Sequence, residues 1–114
     1  MLRYRINEWP APDRPRELLL AIGPAALSTR ELIAILVGSG TEGRSAVDIA
    51  GELLQSAGGS LRKLASWSPQ ELQRVRGIGP AVAARLAGAL ELGRRLAREG
   101  PVERNRIRGP GDVY

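Results

Sequence analysis

Residues 72–86, LQRVRGIGPAVAARL, place two short apolar segments of helical spacing on either side of Gly77-Ile78-Gly79, with Pro80 directly after. Glycine tolerates positive φ and close approach of a ligand, and proline is favoured at the first position of a helix. A new helix begins with amide groups that lack intrahelical partners and carry partial positive charge. The stretch therefore predicts two helices joined by a tight turn that binds phosphate through the main chain.

Three arginines flank this turn, and the residue between the glycines is apolar. Ile78 is expected to anchor the turn in the core, while Arg74, Arg76 and Arg85 can add charge-assisted contacts to an anion. The alternative for each arginine is an ordinary solvated helix residue. The alternative for the turn is a plain helix–helix corner, as in many interaction domains. The flanking pattern favours phosphate binding.

The same arrangement occurs a second time, 40 residues earlier. Ser28-x-x-Glu31 and Ser68-x-x-Glu71 are both capping-box patterns, and they precede Gly38-x-Gly40 and Gly77-x-Gly79 respectively. The pattern thus predicts two units, each made of two helices joined by a tight turn, although any helical chain can contain two such caps by chance. The first copy is weaker, because its middle residue is polar and Glu42 follows. We expect a structural partner or a secondary phosphate contact from Gly38, Ser39, Gly40 and Arg44.

The rest of the chain favours helix throughout. Leu, Ala, Arg and Glu dominate, and no stretch alternates like a strand. The sequence predicts an all-α fold of about five helices over residues 13–100, with an extended N-terminal arm (1–12) and a flexible C-terminal tail (101–114). The longest helix is expected from Pro80 to about Glu99, with an apolar stripe formed by Val82, Ala83, Leu86, Leu90 and Leu96.

Composition excludes several classes of protein. The chain has no cysteine and no histidine, which argues against disulfides, thiol nucleophiles and histidine-based metal sites, and we expect no cofactor. No apolar run reaches the ~20 residues of a membrane span, and residues 1–8 lack a secretory apolar region, so a cytoplasmic protein is expected. The net charge is +5, and the positive excess lies in residues 58–114, which hold 11 basic and 5 acidic residues (+6), whereas residues 1–57 hold 6 and 7 (−1). This excess fits a polyanion partner, or simply an arginine-rich composition, since 16 of the 17 basic residues are Arg.

The second copy closely resembles the helix-hairpin-helix family, whose turns bind DNA phosphates. In that family the turn carbonyls can also hold a monovalent cation. The resemblance would assign these carbonyls to Gln73, Val75 and Ile78.

The whole chain resembles the N-terminal region of the RadC-like (UPF0758) family, which is described as bacterial DNA-repair proteins. The matching residues span 14–96 and are Arg14-Pro15-Arg16-Glu17-Leu18-Leu19, Ala26-Leu27-Ser28, Glu31 to Leu36, Gly38-Ser39-Gly40, Gly77-Ile78-Gly79 and Glu91 to Leu96. Members usually continue into a JAB/MPN-type metal-binding domain that contains a His-x-His pair. Because this sequence has no histidine, the resemblance implies no hydrolase activity for it.

Three functions can be weighed at this point. The favoured one is a module that binds DNA without sequence specificity and acts in a bacterial, nucleoid-associated setting. The alternative is a protein-interaction or dimerisation module without DNA affinity, for which Trp9 and Trp67 would be interface anchors. A helix-hairpin-helix glycosylase is disfavoured, since Lys63 is the only lysine and precedes the turn.

Overall fold

A computed structural model describes residues 14–41 and 43–101 of the chain. Within those residues there are six α-helices, one short 3₁₀ segment at Pro24–Ala26 and one isolated bridge between Thr41 and Arg44. The helices are α1 (Arg14–Ile22), α2 (Thr29–Val37), α3 (Ala46–Ser56), α4 (Leu61–Ala65), α5 (Pro69–Leu72) and α6 (Pro80–Glu99). The predicted all-α class is confirmed. The predicted arm (1–12) and nearly all of the tail (102–114) lie outside the described residues.

Capping boxes explain where three of the helices begin. Ser28, Ser45 and Ser68 each accept a hydrogen bond from the amide three residues later, at 3.0–3.1 Å. The acidic residue at that later position bonds back to the amide of the serine, which completes a capping box. Each box satisfies two amides that the helix would otherwise leave unpaired.

The core lies among α2, α3 and α6, with α4 and α5 closing it. Its largest fully buried side chains are Val37, Ile49, Leu53, Leu64, Leu72 and Leu86. The two helix–turn–helix units share this core. We call α2, residues 38–45 and α3 the first hairpin, and α5, residues 73–79 and α6 the second hairpin. Because each hairpin buries its apolar face against the other, their turns are held in a fixed relation.

Helix α6 extends beyond the core at its C-terminal half. Ala83 and Leu86 are buried as predicted, but Leu96 is 71% exposed, so its place in the apolar stripe was wrong. Consecutive helix residues are rotated by about 100°. The face turned to α4 runs through Leu90, Gly93 and Ala97, which leaves position 96 on another side. Neither α6 nor any other helix in the described ranges combines the length and apolarity needed to cross a membrane.

Candidate nucleic-acid interface

The turn of the second hairpin is tight and anchored. The amide of Ile78 donates to the carbonyl of Val75 at 3.0 Å, and the Ile78 side chain is only 4% exposed, as the sequence predicted. Gly77 has φ +98°, and a Cβ at that position would lie 2.8 Å from Cδ1 of Ile49 in α3. Glycine is therefore required at position 77 for both its backbone conformation and its lack of a side chain.

Gly79, by contrast, is not required by the fold. Its φ is −91°, an ordinary value for residues with side chains, and a Cβ there would meet no atom of residues 14–41 or 43–101 within 4 Å. The residue is exposed and is the N-cap of α6. The space above Gly79 is thus open to a ligand that approaches the main chain.

The N-terminus of α6 has no cap of its own. Its N-cap residue is Gly79, which supplies no side-chain hydrogen bond, Pro80 occupies the first helical position, and the first turn contains no acidic residue. The first intrahelical bond runs from the Ala83 amide to the Gly79 carbonyl at 2.9 Å. The amides of Ala81 and Val82 precede that bond, so they are the donors that a helix start leaves for a ligand.

The N-terminus of α3, in the first hairpin, carries its own anion. The Ser45 amide donates to Oδ2 of Asp48 at 3.0 Å, and the Asp48 amide donates to Ser45 Oγ at 3.0 Å. These hydrogen bonds, with smaller contributions from Arg30 and Arg44, hold the pKa of the Asp48 carboxyl below its ordinary value. The position that an incoming phosphate would take is occupied by an exposed carboxylate.

The glycines of the first turn serve the backbone. Gly38 has φ +90°, and a Cβ on Gly40 would overlap the carbonyl oxygen of Arg44, because the chain folds back on itself there. That fold is closed by the amide of Arg44, which donates to the Thr41 carbonyl at 2.9 Å. Ser39 is exposed between the two glycines.

Four of the arginines singled out from the sequence fall into two groups. The guanidinium of Arg44 donates to the Arg76 carbonyl at 2.7 Å and pairs with Glu52. That of Arg85 donates to the Leu36 carbonyl at 2.9 Å and to the Val37 carbonyl at 3.1 Å. Arg74 and Arg76 are exposed beside the second turn. Their guanidinium groups form no hydrogen bond or ion pair with any residue in 14–41 or 43–101.

A third arginine group lies at the far end of α6. Arg94, Arg95 and Arg98 all pair with Glu91, at 2.7, 3.0 and 3.7 Å. The hydrogen bonds from Arg94 and Arg95 lower the pKa of Glu91. Arg94 also donates to the Ala65 carbonyl, which ties α4 to α6. These cations are therefore partly neutralised by one carboxylate.

Within the described residues, the candidate ligands for a cation are main-chain carbonyl groups. Across the described parts of the chain, no cluster of three or more acidic side chains is placed to bind a metal. The carbonyls of Gln73, Val75 and Ile78 flank a single turn, and that of Val75 accepts one hydrogen bond inside it. Carbonyl oxygens suit a hard cation, and whether these three hold the monovalent cation that the family resemblance implies stays a prediction.

Comparisons with known proteins give the family. The sequence model described as UPF0758 N-terminal matches residues 6–84. The chain is 46% identical over 118 residues to a UPF0758 protein of Salinibacter ruber, covering 99% of this chain and 50% of that protein. It is 48% identical over 108 residues to one of Dechloromonas aromatica (95% and 48%) and 53% identical over 108 residues to one of Moorella thermoacetica (95% and 46%).

These relatives have names that state no activity, and the chain spans about half of their length. No solved structure matches the chain. Since the family model covers well over half of the sequence, and the relatives cover nearly all of it, the chain belongs to the UPF0758 N-terminal family.

Proposed function

We propose that this chain is a helix-hairpin-helix DNA-binding module that holds backbone phosphates and has no enzymatic activity of its own. One observation carries the proposal. The N-terminus of α6 has no side-chain cap, is exposed and has no acidic residue in its first turn. It follows two exposed arginines, Arg74 and Arg76, whose guanidinium groups form no hydrogen bond or ion pair within the described residues, although the Arg74 charge interacts electrostatically with Glu71.

The donors at this site fit a phosphate diester. The amides of Ala81 and Val82 and the partial positive charge of a 20-residue helix converge on the space above Gly79. Arg74 and Arg76 precede the turn and can add contacts to the neighbouring phosphates. Gly79 has no side chain, so the backbone can approach the strand closely.

Main-chain amides and guanidinium groups aimed at phosphates carry no information on base identity. The module is therefore expected to bind DNA without sequence preference. Each neutralised phosphate releases a counterion, so affinity falls steeply with salt. A cation held by the carbonyls of Gln73, Val75 and Ile78 would add positive charge at the same turn.

The wider setting is proposed from the family resemblance. We place the module in bacterial DNA repair, in the cytoplasm at the nucleoid. In longer family members it would be attached to a JAB/MPN-type domain, which supplies any metal-dependent chemistry. Because the chain spans about half of its relatives, the activity of the whole protein is a separate proposal.

A salt-dependent titration tests the proposal. The full 114-residue chain is titrated against labelled duplex, single-stranded and branched DNA between about 50 and 200 mM salt, where phosphate-directed binding weakens most visibly. The double variant Arg74→Ala/Arg76→Ala should bind more weakly on all sequences. It should also lower the slope of log K against log salt by about 0.9 for each lost contact.

Arg62→Ala is the matched control. Arg62 is an exposed arginine that lines a groove with residues 89–97 of α6, at least nine residues from Pro80, or about 13 Å along the axis. It removes the same charge away from the turn, so it should leave the slope nearly unchanged. An unmodified chain that shows no salt-sensitive binding at low ionic strength would refute the proposal.

A second candidate is favoured by a different surface. Leu92 and Leu96 are 69% and 71% exposed on the C-terminal half of α6. A groove of about 590 Å³ lies between that half and α4, with Leu61 and Leu90 in its lining. Neither Leu92 nor Leu96 lines this groove, so the C-terminal half of α6 presents two separate apolar features. Exposed apolar surface of this kind suits a protein-interaction or dimerisation module. A stable dimer in light scattering, together with no DNA affinity, would favour this function instead.

A further inference from the structure

The two hairpins exchange arginines across their shared core. Arg44, which precedes α3 in the first hairpin, donates Nη1 to the Arg76 carbonyl in the turn of the second hairpin at 2.7 Å. Arg85, on α6 of the second hairpin, donates to the carbonyls of Leu36 and Val37 at the end of α2. Each hairpin therefore donates to the carbonyl that directly precedes the first turn glycine of the other, Val37 before Gly38 and Arg76 before Gly77.

The two contact points are equivalent in backbone geometry. The Val37 carbonyl precedes Gly38 at φ +90°, and the Arg76 carbonyl precedes Gly77 at φ +98°. Both glycines also face the opposite hairpin, since a Cβ would lie 3.4 Å from Nη2 of Arg85 at Gly38 and 2.8 Å from Ile49 Cδ1 at Gly77. Because the arginine contacts run in both directions, they fix the position of each turn relative to the other hairpin.

The guanidinium group suits this task better than an ammonium group. Arg85 uses two N–H groups to bond two consecutive carbonyls, and Arg44 joins the Arg76 carbonyl to the carboxylate of Glu52. Both depend on the planar fork of donors that lysine lacks. The Arg44 side chain is only 15% exposed, and its donors are directed at protein acceptors.

We infer that Arg44 and Arg85 are positioning residues, which hold the start of α6 and the turn at Gly77 in their orientation for phosphate binding without contacting DNA themselves. This inference rests on the proposed function. The contacts explain how the main-chain amides of the site keep a fixed orientation. The amides belong to α6, and Arg85 attaches α6 to the end of α2 in the first hairpin. Arg44, from the first hairpin, holds the second turn through the Arg76 carbonyl.

Charge-conserving substitutions distinguish positioning from phosphate contact. Arg44→Lys and Arg85→Lys retain the positive charge but lose the fork, so DNA affinity should fall about two- to tenfold, in line with the loss of one or two hydrogen bonds. The slope of log K against log salt should stay unchanged. Arg76→Ala, by comparison, should lower that slope by about 0.9, and Arg62→Lys is the control that should change neither quantity. Wild-type affinity in both positioning variants, or a slope lowered by Arg85→Ala as much as by Arg76→Ala, would overturn the inference.

Stability and amide exchange separate this outcome from simple unfolding. Urea denaturation must show each variant to be folded under the titration conditions, so that the affinity refers to folded protein. The Ile78 amide bonds to the Val75 carbonyl in the second turn, and the Gly38 amide bonds to the Ala34 carbonyl at the end of α2. In both variants these two amides should exchange about two- to tenfold faster. The Leu64 amide in α4 is the reference. If the unmodified chain binds no DNA, the proposed function fails. Amide exchange then tests the positioning role of Arg44 and Arg85 by itself, and unchanged exchange rates at Ile78 and Gly38 in the lysine variants would overturn that role.

Discussion

The two turns of this molecule share a pattern of glycines, but the helices that follow them begin differently: α3 is capped by its own side chains, and α6 is not. The turn of the first hairpin leads into α3, whose first amides are occupied by Ser45 and by the carboxylate of Asp48. The turn of the second leads into α6, which has neither a capping side chain nor an acidic residue in its first turn. A helix start that provides its own anion is stable but closed to ligands, whereas an uncapped start gives up that stability and stays open.

The largest expected effect is the loss of stability when the first glycine of each turn is replaced by alanine. Gly77→Ala combines positive φ with a contact to Ile49, and we expect it to lower the free energy of unfolding by about 2–4 kcal/mol. Gly38→Ala has the same backbone strain, but its nearest neighbour is the end of the flexible Arg85 side chain at 3.4 Å, so about 1 kcal/mol is expected. Urea denaturation measures both. Equal losses would mean that the second turn is no more tightly packed than the first.

A second comparison transfers the chemistry of the first turn to the second. Gly79→Asp places a favoured N-cap and a negative charge at the start of α6, where the Cβ meets no neighbour. The variant should be at least as stable as the parent, but it should bind DNA about tenfold more weakly, because the carboxylate competes with phosphate. Gly79→Ala is the steric control and should weaken binding less. Unchanged DNA affinity in Gly79→Asp would show that this helix start is not the binding site.

Local sequence patterns predicted much of this comparison. The capping boxes at Ser28 and Ser68 are confirmed, and so is the start of α6 at Pro80, because each depends on residues within one helical turn. That Asp48 completes a third capping box was missed, although the spacing Ser45-x-x-Asp48 was visible. This spacing is the signal that separates the closed turn from the open one.

The contacts between the hairpins could not be predicted. Arg44 and Arg85 had been assigned to phosphate because they flank the turns, but their protein acceptors lie 32 and 48 or 49 residues away in sequence. Such partners depend on how the two hairpins pack, which no local spacing encodes. Contact with DNA stays a prediction for every residue assigned to phosphate from the sequence, which are Gly77, Ile78, Gly79, Arg74, Arg76, Arg85, Gly38, Ser39, Gly40 and Arg44.

A third experiment removes the negative charge that blocks the start of α3, after the first turn. Asp48→Asn retains an oxygen that can accept the Ser45 amide and removes the negative charge from the start of α3. We expect DNA affinity to rise about two- to threefold at low salt, and this gain should disappear as added salt screens the charge. Anisotropy titrations at two salt concentrations measure it. Glu17→Gln in α1, a neutralisation in the first turn of a different helix, is the control. An equal gain in the control would indicate a general charge effect and not a property of the turn.

The smallest expected effect is a difference in acid response between the helix starts. Hydrogen bonds from Ser45 lower the pKa of Asp48 below its ordinary 3.8, and those from Ser68 lower that of Glu71 below 4.5. A carboxyl whose folded pKa is depressed stabilises the fold fully above its unfolded pKa, and this stabilisation is lost as the pH falls through the folded pKa. NMR titration should therefore give midpoints below 3.8 for Asp48 and below 4.5 for Glu71, with amide exchange at the starts of α3 and α5 rising in acid relative to the unfolded-chain rate. The first amides of α6 have no such carboxyl and should show no matching transition. If Asp48 titrates at its ordinary value, its carboxylate does not occupy the first turn, and the physical basis for the difference between the two turns is lost.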